Sequence, residues 1–192
     1  MNTLEAIKTR RSIRKFKNTP VPKSELEKII EAAILAPSSM NKQPWKFAVV
    51  TKQEIIKSLS DEAKKTLKQF LLTDEAKKKY GDAVGRFMKR AESSDDVIFY
   101  NAPALIVVLQ TQEAANGQFD HGMAAMNIML SAHDIGLATV PVGLGVFMDS
   151  SSDARKILKM KETDKIVITI PVGYPDETPS PTERNFNAVE WI

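Results

Sequence analysis

Ala104-Leu105-Ile106-Val107-Val108-Leu109 is an unbroken apolar run, introduced by Asn101-Ala102-Pro103. A run this short, rich in β-branched residues and free of polar alternation, reads as a strand buried on both faces. It predicts the middle of a central sheet.

Downstream, Asn116 to Ile135 is predicted to be one long helix. It is rich in Ala and Met and apolar around most of its circumference, which makes it central. Gly136 stops it. Ala138 to Val142 reads as a short strand broken by Gly143 and Gly145, Ser152 to Met160 as a short helix, and Ile166 to Val172 as the last clear strand.

Upstream, Asn2 and Glu5 have the spacing of a capping box and open a helix over Thr3–Thr9. Ser24 and Glu27 have the same spacing and open a second, whose apolar face is Leu26, Ile29, Ile30, Ala33 and Ile34. Pro37 ends it. Lys46 to Thr51 is strand-like, and Thr51 and Glu54 begin another helix. From Asp61 to Ser94 a lysine-rich helical pattern predicts two or three outer helices in the position of a lid, with breaks at Gly81 and Gly85. Helices and strands mix without strict βαβ alternation, which means α+β, or α/β with a central sheet.

The chain has 192 residues, 43% hydrophobic and 27% charged, the composition of one globular domain with a sizeable core. Its net charge, 27 − 24 = +3, is small for a nucleic-acid binder. It contains no Cys, so disulfides and thiolate nucleophiles are excluded, and a reducing cytoplasm is the compartment this fits. His121 and His133 are too far apart, and too alone, for a histidine metal site, and both are assigned structural roles. Glu5, Lys8, Arg10 and Arg11 interrupt any signal-peptide core, and no apolar run approaches the ~20 residues of a membrane span. After Pro175 the tail has few apolar residues until Phe186, Val189, Trp191 and Ile192. That end is expected to dock on a partner, because it cannot bury itself.

Two polar stretches carry candidate chemistry. Arg10-Arg11-Ser12-Ile13-Arg14-Lys15-Phe16 gathers three guanidinium groups, whose forked donors match phosphate oxygens. By itself it admits a small-molecule phosphate site, a nucleic-acid patch or a solvated basic turn. Ala36-Pro37-Ser38-Ser39-Met40-Asn41-Lys42-Gln43-Pro44-Trp45 is longer than a helix-to-strand connection needs, and its side chains are mostly hydrogen-bonding types. Asp95-Asp96 reads as a solvated turn or a helix cap, Asn127 as a buried structural hydrogen-bonding group, and Trp45 and Tyr174 as packing residues.

These two stretches, with Asp120-His121-Gly122, Asn127, His133-Asp134-Ile135-Gly136-Leu137 and Gly173-Tyr174-Pro175 followed by Arg184, resemble the FMN-dependent nitroreductase family over nearly the whole chain. The resemblance implies an α+β sandwich with a mostly antiparallel central sheet and an intertwined homodimer. The tail from about 176 to 192 would dock on the second subunit. It further implies FMN at the subunit interface, NADH or NADPH as donor, and ping-pong reduction of nitroaromatics, quinones or a related small acceptor. Neither nucleic acid nor membrane would be a partner. By the same resemblance, Arg10, Arg11, Ser12, Arg14 and Arg184 would hold the phosphate, ribityl chain and pyrimidine edge of FMN. Pro37, Ser38, Ser39 and Asn41 would come from the partner subunit to the isoalloxazine, and Val142, Gly143 and Leu144 would face the ring by their main chain. The flavin would carry the chemistry, so no catalytic side chain and no metal is implied. The chain departs from the family pattern at Val140-Pro141, where a Cys-Trp pair is common, and at Thr182, where a second tail cation is common. A flavin-binding sensor or carrier without turnover, and a dehalogenating or flavin-destroying relative, are the alternative functions.

Overall fold

The structure, a computed structural model, describes residues 1–111, 117–185 and 187–192. Its helices are α1 (Thr3–Thr9), α2 (Lys23–Ile34), α3 (Gln53–Leu71), α4 (Asp74–Tyr80), α5 (Ala83–Glu92), α6 (Gly117–Asp134) and α7 (Ser152–Ile157). Its strands are β1 (Trp45–Val50), β2 (Ala104–Gln110), β3 (Ala138–Thr139) and β4 (Lys165–Gly173), in the order β1-β2-β4-β3 with every pairing antiparallel.

The apolar run 104–109 is the inner strand β2, buried along Ala104–Leu109. Its alternate side chains feed two separate cores. Ile106 and Val108, with Ile170 and Val172 of β4, pack against Leu26, Ile29 and Ala33 of α2 and Ile128 and Ala132 of α6. Leu105, Val107 and Leu109, with Ile166, pack on the other face against Ile56, Leu59 and Ala63 of α3, Met148, and Ala154 of α7. The molecule is therefore a sheet between two helical layers, an α+β sandwich.

Several boundaries differ from expectation for identifiable reasons. The N-cap half of the first capping box forms, with Asn2 Oδ1 accepting the Glu5 N–H at 2.9 Å. The second does not. Pro22, with its φ of −59°, is the N-cap, and its carbonyl accepts from Glu25 N and Leu26 N, so Ser24 lies inside α2. The proline presets the helix entry and no side-chain cap is required. α3 runs through Asp61 to Leu71, because Leu59, Ala63, Leu67 and Leu71 keep helical spacing with no breaker between them. Gly81, at φ +48°, ends α4 as expected. Gly85 lies inside α5 and breaks nothing.

β3 is only two residues long. Pro141 lacks the N–H that a ladder needs, and pairing resumes at Val142, whose N–H donates to Thr169 O at 2.8 Å. α7 stops at Ile157, and Lys159 has a left-handed φ of +51°. α6 is described from Gly117; the expected start at Asn116 lies outside the described residues. Gly136, at φ +82°, follows its end.

Candidate anion cavity and the two segments that flank it

A cavity of about 560 Å³ opens between the end of α1, the end of α6, the start of β3 and the chain after β4. Arg10, Arg11, Ile13, His133, Thr139 and Glu177 are among its lining residues. Backbone bonds fix its walls. Ile13 N donates to Thr139 O at 3.2 Å, Lys17 N to Tyr174 O at 2.9 Å, and Asp176 N to Lys15 O at 2.9 Å. The Glu177 carboxylate accepts the N–H groups of Arg14 and Lys15, tying the outgoing tail to the basic segment.

The cations in this wall differ in what they do. Arg11 spends Nη1 on backbone, donating to Lys8 O at 2.8 Å and Arg10 O at 2.9 Å. Arg10, the C-cap of α1, has a buried Nη1 with no partner among the described residues. Leaving such a donor unpaired costs on the order of 1–3 kcal/mol, more for a charged group. Its pKa is pushed down by burial first, and then by the like charges of Arg11 and Arg184. The fold has thus brought Arg184, 174 residues away in sequence (184 − 10), into the field of Arg10. A partly desolvated guanidinium held against two others is a site that an anion relieves.

Of the other residues expected here, Ser12 is paired in parallel with Thr139 through the backbone, which places it in the cavity wall's frame. The Arg14 side chain is exposed, and Arg14 is not among the lining residues. Val142 and Leu144 are packed on the α3 side of the sheet, and Gly143 between them is exposed with nothing within 4 Å of where a Cβ would stand. Thr169 clamps this turn by donating its hydroxyl to Val142 O at 2.8 Å.

The Pro37–Asn41 segment lies elsewhere. Ser39 N–H points at the Asp120 carboxylate, 3.3 Å away, at the first turn of α6, whereas Arg10 and Arg11 stand beside His133 in its last turn. Thirteen residues of helix at 1.5 Å each separate the two by roughly 20 Å. The segment also precedes β1 at one edge of the sheet, while Val142–Leu144 follow β3 at the other. Within one chain, therefore, the predicted ring-facing segments are not assembled. The loop itself is constrained: Met40, Asn41 and Gln43 have φ of +54°, +52° and +46°. Ser38 Oγ holds that conformation by accepting the Gln43 N–H at 2.9 Å. Such strain in non-glycine residues persists where the surroundings fix it, and it clusters at functional segments.

The packing assignments hold. Asn127 Nδ2 donates to Ala32 O at 2.9 Å, joining α6 to α2. Buried His121 is clamped between the carbonyls of Gly117 and Pro44. Tyr174 packs on the α2–α6 core and donates its hydroxyl to Glu25 at 3.0 Å. Trp45 lies beside Phe47, with ring centroids 6.4 Å apart. Asp96 caps no helix and is not a solvated residue either: half-buried at the start of the 97–101 turn, it accepts from Ser60 Oγ at 2.6 Å and from the N–H groups of Ile98, Phe99 and Asn101. His133 is different from His121. It lines the cavity, a placement that sequence spacing could not give, because its neighbours come from α1 and the tail.

An antiparallel sheet between two helical layers, with a guanidinium-lined cavity at one end of its central helix, defines an α+β protein with a cavity whose charge suits an anionic small molecule. The nitroreductase family model matches residues 7–174. The chain belongs to the nitroreductase family. It is 31% identical, over 93% of its length and 80% of the relative's, to a Methanothermobacter thermautotrophicus protein provisionally named NADH dehydrogenase/NAD(P)H nitroreductase. It is 28% identical to a 4-nitrobenzoate reductase of Pseudomonas putida, over 89% of this chain and 84% of that one. A solved nitroreductase with bound FMN from Desulfitobacterium hafniense superposes with a TM-score of 0.83 at 27% identity, covering 100% of this chain and 99% of that one.

Proposed function

We infer that this protein is an FMN-dependent oxidoreductase that takes electrons from NADH or NADPH and passes them to a small acceptor such as a nitroaromatic or a quinone. The observation that carries the reading is the buried Nη1 of Arg10, without a partner among the described residues, in the field of Arg11 and Arg184. FMN ends in one phosphate, and a site of this kind suits one dianion. Arg10 and Arg11 would hold that phosphate with Arg184, and Arg14, three residues after Arg11 and exposed beyond the cavity lining, would serve the ribityl chain or the pyrimidine edge. Bound FMN supplies the two-electron chemistry, so the chain need provide only binding, orientation and charge. Gly143, with open space where a side chain would be, lets the backbone of Val142–Leu144 approach the ring closely.

Pro37, Ser38, Ser39 and Asn41 are too far from this cavity along α6 to serve the same site, so we assign them to the site of a second subunit. Two surfaces support a homodimer. Phe119, Met123 and Met126 form an exposed stripe along α6, spaced four and three residues apart. Val189, Trp191 and Ile192 in the tail are exposed, Trp191 at 93%. Donor and acceptor would use one site in turn, a ping-pong order.

The test is the visible spectrum of the purified protein, followed anaerobically as NADH and then NADPH are added. Bleaching of the flavin band and its return on adding a nitroaromatic support the reading. A bound flavin that neither donor bleaches would make the protein a carrier or sensor, and a colourless protein that does not take up FMN would overturn the assignment. An iodotyrosine deiodinase of Thermotoga neapolitana is also 26% identical over 93% of this chain and 91% of its own length, so a halogenated tyrosine belongs in the acceptor panel.

A further inference from the structure

We propose that His133 is an additional, titrating ligand of the phosphate subsite, taking up a proton when a phosphate dianion enters the cavity beside Arg10. This rests on the FMN reading above. His133 stands in the last turn of α6 and lines the cavity together with Arg10, Arg11 and Thr139. Its Nε2 lies 2.8 Å from Thr9 Oγ1, and the same hydroxyl lies 2.7 Å from Glu5 O. The Thr9 hydrogen can point either way. If it points to Glu5 O, His133 Nε2–H donates to Thr9 and Nδ1 is left without a hydrogen-bond partner among the described residues. The ring can therefore accept a proton at Nδ1 while Thr9 keeps hold of Nε2, and no contact has to break.

The charges around the ring decide which form is present. Arg10 and Arg11 approach from the segment after α1, and Asp134 is the next residue on α6. The amino group of Met1 occupies the Asp134 carboxylate at 2.8 Å, and Glu177 lines the cavity from the tail with its carboxylate on Arg14 N and Lys15 N. Burial, followed by Arg10 and Arg11, holds the His133 pKa below its ordinary 6.5, against the opposing pull of Asp134. With the cavity free of anions, these surroundings favour the neutral ring. A phosphate dianion cancels the field of the two arginines and adds negative charge of its own, and the carbonyl end of α6 favours a cation there as well. Both changes favour imidazolium, and one proton is drawn from solvent.

The experiment measures FMN affinity of the apoprotein from pH 8 to pH 6, in wild type and in H133Q, whose amide nitrogen can still reach Thr9. The phosphate of FMN also titrates in this range, but equally for both proteins, so the ratio of their association constants isolates His133. The ratio of wild type to H133Q should rise as pH falls, by at most about tenfold per pH unit, the limit for one linked proton. Calorimetry in buffers of differing ionisation enthalpy should show proton uptake on binding that H133Q lacks. As a measurement free of any variant, the His133 ring resonance should titrate at higher pH when inorganic phosphate or FMN is added. If FMN binds and both proteins show the same pH dependence, or if the His133 titration does not move, the proposal falls and the FMN reading stands. If FMN does not bind to wild type at any pH, both fall.

Discussion

At the scale of single residues, Arg10 and two glycines make opposite demands. Arg10→Glu replaces the half-buried cation with an anion in the field of Arg11 and Arg184. Losing a charge-assisted bond costs about 1.5–3 kcal/mol, and repulsion of the phosphate adds to it, so FMN affinity should fall by at least tenfold. The checks are flavin content after purification and fluorescence titration. Full FMN occupancy in the variant would remove Arg10 from the site. Gly143→Ala should fold normally, because nothing among the described residues stands within 4 Å of the added Cβ. Gly145→Ala should not be tolerated: its Cβ would lie 2.3 Å from Thr169 Oγ1 and 2.9 Å from Phe99 Cε1. Overpacking of that kind costs about 1–3 kcal/mol, read as a lower Tm in calorimetry. Thr169 also clamps Val142, so the strain falls on the turn that carries Gly143.

The apoprotein's stability has a sign at His133 too. Its folded pKa lies below 6.5. As pH falls below 6.5 the unfolded chain binds a proton that the folded chain does not, so stability drops until the folded pKa is passed. H133Q lacks this loss and should show a shallower decline of Tm over that window. A parallel decline in both proteins would refute the assignment.

At the scale of elements, α3 to α5 form a small core of their own. Leu67 and Leu71 of α3, Ala76 of α4 and Ala91 of α5 are buried together, with Phe70, Tyr80 and Phe87 around them. Phe70 meets Phe147 at 5.1 Å between centroids, and Leu144 packs on the same cluster. The outer helices are thereby fastened to the turn after Gly143. Phe70→Ala should leave a cavity costing roughly 3–5 kcal/mol in a fully packed site, and less here because Phe70 is only partly buried. The expected outcome is faster hydrogen exchange confined to α4, α5 and 144–150, with β2 and α6 unaffected. Uniformly faster exchange would mean that the cluster is not a separate unit.

At the scale of the whole molecule, the proposed homodimer would cover the exposed tail and the α6 stripe with a second copy. A chain truncated after Asn185 should dissociate more readily in sedimentation, since residues 187–192 are exposed in their own subunit. Shared sites can be tested by mixing. One variant carries Arg10→Glu with Arg14→Glu, and the other carries Ser39→Trp with Asn41→Asp. Each homodimer should be inactive. After unfolding and refolding an equal mixture, random pairing makes about half the dimers mixed, each with one intact site, so roughly a quarter of wild-type activity should return. Mixed dimers confirmed by mass but lacking activity would place each site within one chain.

The sequence alone determined the elements, because their signals are local. The unbroken apolar run of 104–109, the helical spacing of α2 and the Asn2 cap each depend on residues a few positions apart. The motifs of the family are local too, and they were legible. Only the tertiary structure decided the site, because its parts meet across the chain. Arg184 reaches Arg10, Glu177 ties down Arg14 and Lys15, and Thr9 takes His133 from 124 residues away. Local spacing assigned His133 a structural role; what puts it in the cavity is the packing of α1 against the end of α6. Nor could spacing show that the Pro37–Asn41 loop stands a helix length from the arginines in its own subunit, because that distance is set by which end of α6 each segment packs against.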